Sequence, residues 1–274
     1  MVDTLERRGV SILFAIGGDG TLRGAQAVAD EVSRRGSDIA VIGVPKTIDN
    51  DIQCVEKSFG FETAGSVARE VAYAAHSEAR GARNGIGLVK LMGRESGFIA
   101  AYAALSNCDV DFCLVPEVPF TLEGFLAALQ ARLEARGHAV VLVAEGAGQD
   151  LMAATGARDA SGNVRLGDIG LFLREEIQKH FRKIGMDFNL KYIDPSYTIR
   201  SQPANAHDSI VCLMLGQNAV HAGMAGRTGM LVGQWHAHCT HVPIPCATSE
   251  RKRIDPDEWV WRSVIQCTGQ PARM

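Results

Sequence analysis

Several short loops carry residue types that could act on an anion. Gly17-Gly18-Asp19-Gly20-Thr21 follows an apolar run and precedes a helical pattern. Glycines there would let backbone N–H groups approach a phosphate, the helix start adds the positive end of its dipole, and Asp19 would reach a magnesium ion. The same residues also suit a plain strand-to-helix turn in which Asp19 caps the helix. In Thr47-Ile48-Asp49-Asn50-Asp51, behind Pro45 and Lys46, two carboxylates stand two residues apart. In an extended segment both project to one side and could share a substrate hydroxyl and a metal-bound phosphate. The competing reading is an Asx-rich turn.

Met92-Gly93-Arg94 ends another apolar run, where a guanidinium could grip a phosphate bidentately or simply face solvent. Glu145 follows VVLVA and suits hydrogen bonding to sugar hydroxyls, or serves as a capping or surface acid. Lys191, Tyr197 and Arg200 fall within one strand-turn unit, again a phosphate-friendly set. His236, His238, Cys239, His241 and Cys246 suggest a metal only loosely. Their spacing matches no structural zinc pattern, and residues 235–242 read equally well as one strand with polar positions. GxxxxGK[ST], HExxH and GxSxG are absent from the sequence, which excludes P-loop kinases, zincins and serine esterases.

These loops need a scaffold that presents strand ends. Residues 11–16, 39–44, 85–91, 112–115 and 138–144 are short apolar runs. They alternate with helical patterns over residues 22–35, 61–80 and 122–136, and a further helix carries Leu171, Ile177 and Phe181. A strand near 190–193 and a long helix near 206–225 follow. Strands apolar on both faces and alternating with helices predict an α/β fold with a parallel sheet covered on both sides. Ligands then collect at the carboxyl ends of the strands, where the loops above lie.

The 274 residues suffice for one large domain or two modest ones. A net charge of −3 gives no electrostatic reason for nucleic acid or an anionic membrane as partner. No run approaches the roughly 18 apolar residues that would span a bilayer, and the amino terminus lacks the apolar core of a signal peptide. The seven scattered cysteines, none spaced CxxC, read as reduced thiols without a structural disulfide. Together these features predict a cytoplasmic protein.

In order along the chain, GGDGT, VPKTIDND, FGFETA, LMGRESGF, PEVPF, VAEGAGQ, DASGN, KYIDPSY and TGQP resemble the phosphofructokinase family. The likeness is nearest to its long-chain subgroup of plant and trypanosomatid ATP-dependent enzymes. The resemblance implies a three-layer, parallel-sheet sandwich of two similar α/β lobes, the first truncated here. It implies transfer of a phosphoryl group from ATP to the 1-hydroxyl of fructose 6-phosphate, with Mg2+. Asp49 then matches the proton acceptor, with Thr47, Asp51 and Arg94 in the catalytic set. Gly18, Asp19, Gly20, Thr21 and Lys46 match the donor side, with Asp19 the magnesium-associated acid. Met92, Gly93, Arg94, Glu145, Tyr197 and Arg200 match sugar-phosphate contacts, and Thr47 and Asp49 also face the sugar. Lys191 resembles a basic residue lent across a subunit interface, so the resemblance implies a homo-oligomer, dimer or tetramer.

By the same resemblance, Gly20 leaves room for the rest of ATP where pyrophosphate users carry Asp, whereas Lys46 is shared with pyrophosphate users. A pyrophosphate-dependent form of the reaction is therefore the enzymatic alternative. The sequence starts about ten residues before the GGDGT strand, where family members have a first strand and a GG-x-x-PG phosphate loop. The expectation is a fragment or misplaced start rather than a genuine short form. A non-catalytic sugar-phosphate-binding paralogue is the third reading. The expected division is residues 1–105 as the remaining nucleotide lobe, 106–235 as the sugar-phosphate lobe, and 236–274 returning toward the first lobe.

Overall fold

The computed structural model describes residues 1–153, 165–236 and 238–274; the DASGN motif, residues 159–163, lies outside the described residues. In chain order the elements are α1 (Val2–Arg7), β1 (Ile12–Gly17), α2 (Asp19–Arg35), β2 (Ala40–Thr47), β3 (Phe59–Gly60), α3 (Phe61–Arg80) and β4 (Gly85–Leu91). Then follow α4 (Phe98–Leu105), β5 (Phe112–Leu114), α5 (Leu122–Arg136), β6 (His138–Ala144), α6 (Ile169–Lys183), β7 (Asn189–Ile193), α7 (Ser196–Arg200) and α8 (Ala206–Met224). The last are β8 (Met230–Trp235), β9 (His238–Pro243), α9 (Ile244–Ala247) and α10 (Trp259–Thr268). No described helix is long and apolar enough to cross a membrane.

Two compact units divide the chain. The first, Met1–Thr63 with Pro203–Lys252, holds a sheet in the order β1-β2-β8-β9, with β3 added on the end of β2. Strand alternation assigns its side chains to two layers. Val41 packs with Leu22, Ala25 and Ala29 of α2, while Ile42 and Val44 pack with Val211, Leu215 and Ala219 of α8. One helix on each face makes three layers.

The second unit, Ala64–Gln202 with Arg253–Met274, holds a fully parallel sheet in the order β5-β6-β4-β7. Ile86, Leu88, Val141 and Val143 of its strands join Phe125 and Leu129 of α5 and Ile177 and Phe181 of α6 in one core. On the other side α4 packs against β5 and β6, and α10 packs on α4.

Four expectations are corrected. Residues 11–16 are not buried on both faces: Phe14 is 38% and Ile16 59% exposed, because β1 is a terminal strand that pairs with β2 alone among the described strands. Residues 235–242 are not one strand. The chain reverses at His236, whose φ is 46°, and β9 runs antiparallel to β8, so the first sheet is mixed at that edge. The helix expected from Leu22 starts at Asp19, which puts Asp19, Gly20 and Thr21 in its first turn. Finally, the units part at Thr63 and Lys252 rather than near residues 105 and 236. Residues 85–105 fall in the second unit because β4 pairs with β6 and β7, and residues 253–274 do so because α10 packs on α4 and β5.

Candidate active site

In the first unit two loops leave the carboxyl ends of the paired parallel strands β1 and β2. After β1 the chain enters α2 at once, with Gly18 as its N-cap. The N–H groups of Asp19, Gly20 and Thr21 thus have no carbonyl partner within the helix, and the dipole is positive there. A Cβ on Gly18 would approach Lys46 O at 3.5 Å and Thr47 Cβ at 3.7 Å, so the two loops touch. A Cβ on Gly20 would meet no atom within 4 Å, which leaves the first turn of α2 open to a ligand. Asp19 does not cap the helix; its carboxylate lies 3.0 Å from Arg23 Nε, one turn on.

The second loop, residues 48–58, is closed at its base where β3 pairs with β2 at Lys46↔Phe59 and Thr47↔Gly60. Asp49 N donates to Thr47 Oγ1 at 3.1 Å, and Ser58 Oγ donates to Thr47 O at 2.7 Å. Asn50 takes φ 54° and accepts from Ser58 N at 3.0 Å. That left-handed residue corrects the extended geometry expected for the two acids, because it interrupts the alternation that would turn both carboxylates to one side. Asp49 is half-buried and Asp51 buried. Lys46 is exposed and Thr47 half-buried.

Burial raises the Asp51 carboxyl above the usual range; Arg251, 3.9 Å away, opposes this and the negative charge of Asp19 adds to it. Magnesium is commonly held by one or two carboxylates, with phosphate oxygens and water completing its shell. Asp19 and Asp51, close enough to repel one another, fit that demand. Among the described residues no group of three or more His, Cys, Asp or Glu could hold a metal without such help, the His and Cys residues around β9 included.

In the second unit the loops follow β4 and β6, which pair along their whole length. Glu145 N donates to Leu91 O at 2.8 Å, joining the start of the Glu145 loop to the start of the Arg94 loop. A Cβ at Gly146 would stand 1.5 Å from Arg94 O, so only glycine permits this backbone contact. Gly93 takes φ 121° and its carbonyl accepts from Ser96 N at 2.9 Å, a tight turn with Arg94 inside it. Gln149 Nε2 donates to Glu145 O at 2.7 Å. Met92, Gly93, Arg94 and Glu145 are therefore brought together.

Tyr197 and Arg200 lie on α7, with the guanidinium carbon 5.0 Å from the Tyr197 ring centre, and both are exposed. Lys191 does not join the Arg94 cluster along its strand. It is exposed and sits beside Gly87, four residues before the carboxyl end of β4.

Sequence reading missed the groups that hold these loops. Lys252 N donates to Asp51 O at 2.9 Å, and Lys252 Nζ donates to Val55 O and Glu56 O, each at 2.8 Å. Burial pulls that lysine's pKa down to about 8. Asp208 of α8, fully buried, accepts from Gly60 N at 3.0 Å and Thr63 N at 2.7 Å, anchoring the end of β3. The consecutive Arg251-Lys252-Arg253 was a visible signal. Nothing local marked Asp208.

The phosphofructokinase family model matches residues 1–223. The ATP-dependent 6-phosphofructokinase of Borreliella burgdorferi is 51% identical over 284 residues, covering 100% of this chain and 64% of that protein. That of Amycolatopsis methanolica is 51% identical over 282 residues, with 99% and 61% covered. That of Trypanosoma brucei brucei is 48% identical over 272 residues, with 98% and 56% covered. The chain thus spans between about half and two thirds of the length of these relatives. Among solved structures, a pyrophosphate-dependent phosphofructokinase from Marinobacter aquaeolei superposes with TM-score 0.77 at 21% identity, over 98% of this chain and 70% of its own. The Pichia pastoris phosphofructokinase gives 0.70 at 19% identity, over 90% and 26%. These two establish the fold, and the identities near one half along the whole chain, with the family match over its first 223 residues, place the chain in the phosphofructokinase family.

Proposed function

We propose that the chain carries the catalytic residues of an ATP-dependent 6-phosphofructokinase, which transfers the γ-phosphoryl group of ATP to the 1-hydroxyl of fructose 6-phosphate. The observation that carries this reading is the loop after β2, where Thr47, Asn50 and Ser58 hold Asp49 and Asp51 in a fixed turn beside the open first turn of α2. Phosphoryl transfer asks a protein mainly for alignment and charge neutralisation. The unpaired N–H groups at the start of α2, with Lys46, suit the donor phosphates. Asp49 takes the proton of the 1-hydroxyl as that oxygen bonds to the γ-phosphorus and ADP leaves. Thr47 receives the Asp49 N–H and so sets the orientation of that residue. Magnesium, when bound, neutralises charge on the donor phosphates, and Asp19 and Asp51 are the residues that would hold it.

Four further residues carry chemistry suited to the acceptor. Arg94, in its tight turn, and Arg200 suit the 6-phosphate, while Glu145 and Tyr197 suit the sugar hydroxyls. Exposed Lys191, away from the Arg94 cluster along its strand, supports a role toward a neighbouring copy in a homo-oligomer. Open space at Gly20 supports ATP over pyrophosphate. A glycolytic reaction of this kind suits the cytoplasm.

A coupled assay for fructose 1,6-bisphosphate with magnesium and either ATP or pyrophosphate tests the reading. Turnover with ATP supports it, and turnover with pyrophosphate alone replaces it by the alternative donor. Inactivity with both, alongside calorimetric binding of fructose 6-phosphate, points to the sugar-phosphate-binding paralogue.

A further inference from the structure

The Pro116-Glu117-Val118-Pro119-Phe120 segment follows β5 and plays no part in the reaction set out above. Yet Glu117 accepts two backbone N–H groups that are distant in sequence. Gly97 N lies 2.9 and 3.1 Å from its two carboxylate oxygens, and Ile254 N lies 3.0 Å from one of them. Gly97 is the N-cap of α4, so the negative charge also meets the positive end of that helix. Only glycine admits it: a Cβ at Gly97 would stand 2.4 Å from Val115 Cγ1 and 2.9 Å from Glu117 Oε2.

Gly97 ends the six-residue loop, residues 92–97, that carries Arg94. The β4 end of that loop is tied through the Leu91 carbonyl, and its middle is tied by the Gly93–Ser96 turn and the contact of Arg94 O with Gly146. Beside it, Glu95 pairs with Arg253 at 2.9 Å, one residue before the Ile254 amide that Glu117 holds. The helix end is tied by Glu117. We infer that Glu117 is a positioning residue for Arg94: it fastens the end of the Arg94 loop to the backbone at Ile254, so that the guanidinium meets the sugar phosphate in one geometry. This rests on the reading of Arg94 as a sugar-phosphate contact. Burial raises the Glu117 carboxyl above the usual range, with the two N–H bonds and the charge of Arg253 opposing it.

The test is Glu117→Gln in the full chain. Glutamine keeps the shape and one acceptor oxygen but loses the charge and one acceptor, which converts one charge-assisted bond into about a tenfold effect. The KM for fructose 6-phosphate is expected to rise about tenfold, with kcat and the KM for ATP within about twofold of wild type, since only the loop end is released. Amide exchange in residues 92–97 should accelerate while exchange in β4 and β6 does not change. Equal rises in both KM values, loss of kcat alone, or unaltered exchange in 92–97 overturns the inference. Glu117→Asp, which keeps the charge with a shorter reach, should shift in the same direction by less, and it takes over the test if the glutamine variant does not fold. Calorimetric titration of fructose 6-phosphate separates the two claims. No binding by wild type removes the sugar-phosphate reading, while wild-type binding that Glu117→Gln leaves unaltered removes this inference alone.

Discussion

Gly20→Asp separates the stability of the first unit from its proposed chemistry, because the two should move in opposite directions. Gly20 is exposed in the first turn of α2, and a side chain there meets no atom within 4 Å. Replacing a helical glycine recovers a few tenths of a kcal/mol or more, and a carboxylate in the first turn adds about 0.3–1 kcal/mol through the dipole. Folding should therefore be unharmed or modestly improved. A donor phosphate seated on the N–H groups of that turn, however, would face the new charge at about 5 Å, which at an effective dielectric of about 20 costs about 3 kcal/mol. That corresponds to about a hundredfold loss in kcat/KM for ATP. Differential scanning calorimetry reads the first effect, and initial rates against ATP and pyrophosphate read the second. A lower Tm would show that the site is not open. An unaltered kcat/KM for ATP in a folded variant would refute the seating of the donor on α2.

Asp49→Asn should lower kcat by about 10²–10⁴-fold, with the KM for fructose 6-phosphate nearly constant, in steady-state kinetics; a comparable loss confined to KM would make Asp49 a binding group only. Asp208→Asn puts an amide N–H2 where buried N–H groups now find a carboxylate, so urea denaturation should show a loss of about 2–4 kcal/mol; an unshifted midpoint contradicts the anchoring of β3. Lys90 lies 2.9 Å from Asp168 and 2.8 Å from Asp194, and Lys90→Met should cost about 1–2 kcal/mol at neutral pH. Although burial pushes the Asp168 carboxyl up, bonding to Lys90 prevails and holds it below 3.8. Its stabilisation is thus present above pH 3.8 and is lost as pH falls through the depressed value. The deficit of Lys90→Met should accordingly narrow below about pH 4 in urea melts, and a constant deficit would contradict the pairing.

How much was legible in the sequence followed from how local each signal is. Strands β4 and β6 and helices α3 and α5 have the bounds that their apolar runs and helical periods mark, since each is enclosed by its own sheet and helices. Helix α4 (FIAAYAAL) carries little sequence signal because five of its eight residues are buried and it has little amphipathic period. Residues 235–242 read as one strand because His236 supplies the left-handed turn without glycine, asparagine or aspartate to announce it. Phe14 and Ile16 look like core residues in sequence, but burial also depends on what lies beside a strand, which its own residues do not encode.

The candidate site divides along the same line. Residues that would touch a ligand sit in contiguous loops at strand ends, and Gly20, Asp49, Arg94 and Glu145 could be named from their neighbours in sequence. Residues that fix those loops come from far along the chain. Asp208 grips Gly60 from 148 positions away, Lys252 grips Val55 from 197, and Glu117 joins Gly97 to Ile254 across 20 and 137. Each acts through backbone N–H or C=O groups, which every residue type carries, so the gripped end leaves no mark in the sequence. The gripping end is a charged side chain far along the chain, buried at Asp208 and half-buried at Glu117 and Lys252. Asp208, Glu117 and Lys252 are therefore where substitutions should disturb loop geometry without changing the chemical identity of any ligand-facing side chain. Kinetic variants at these three positions would measure how much of the chemistry depends on geometry fixed from outside the ligand-facing loops.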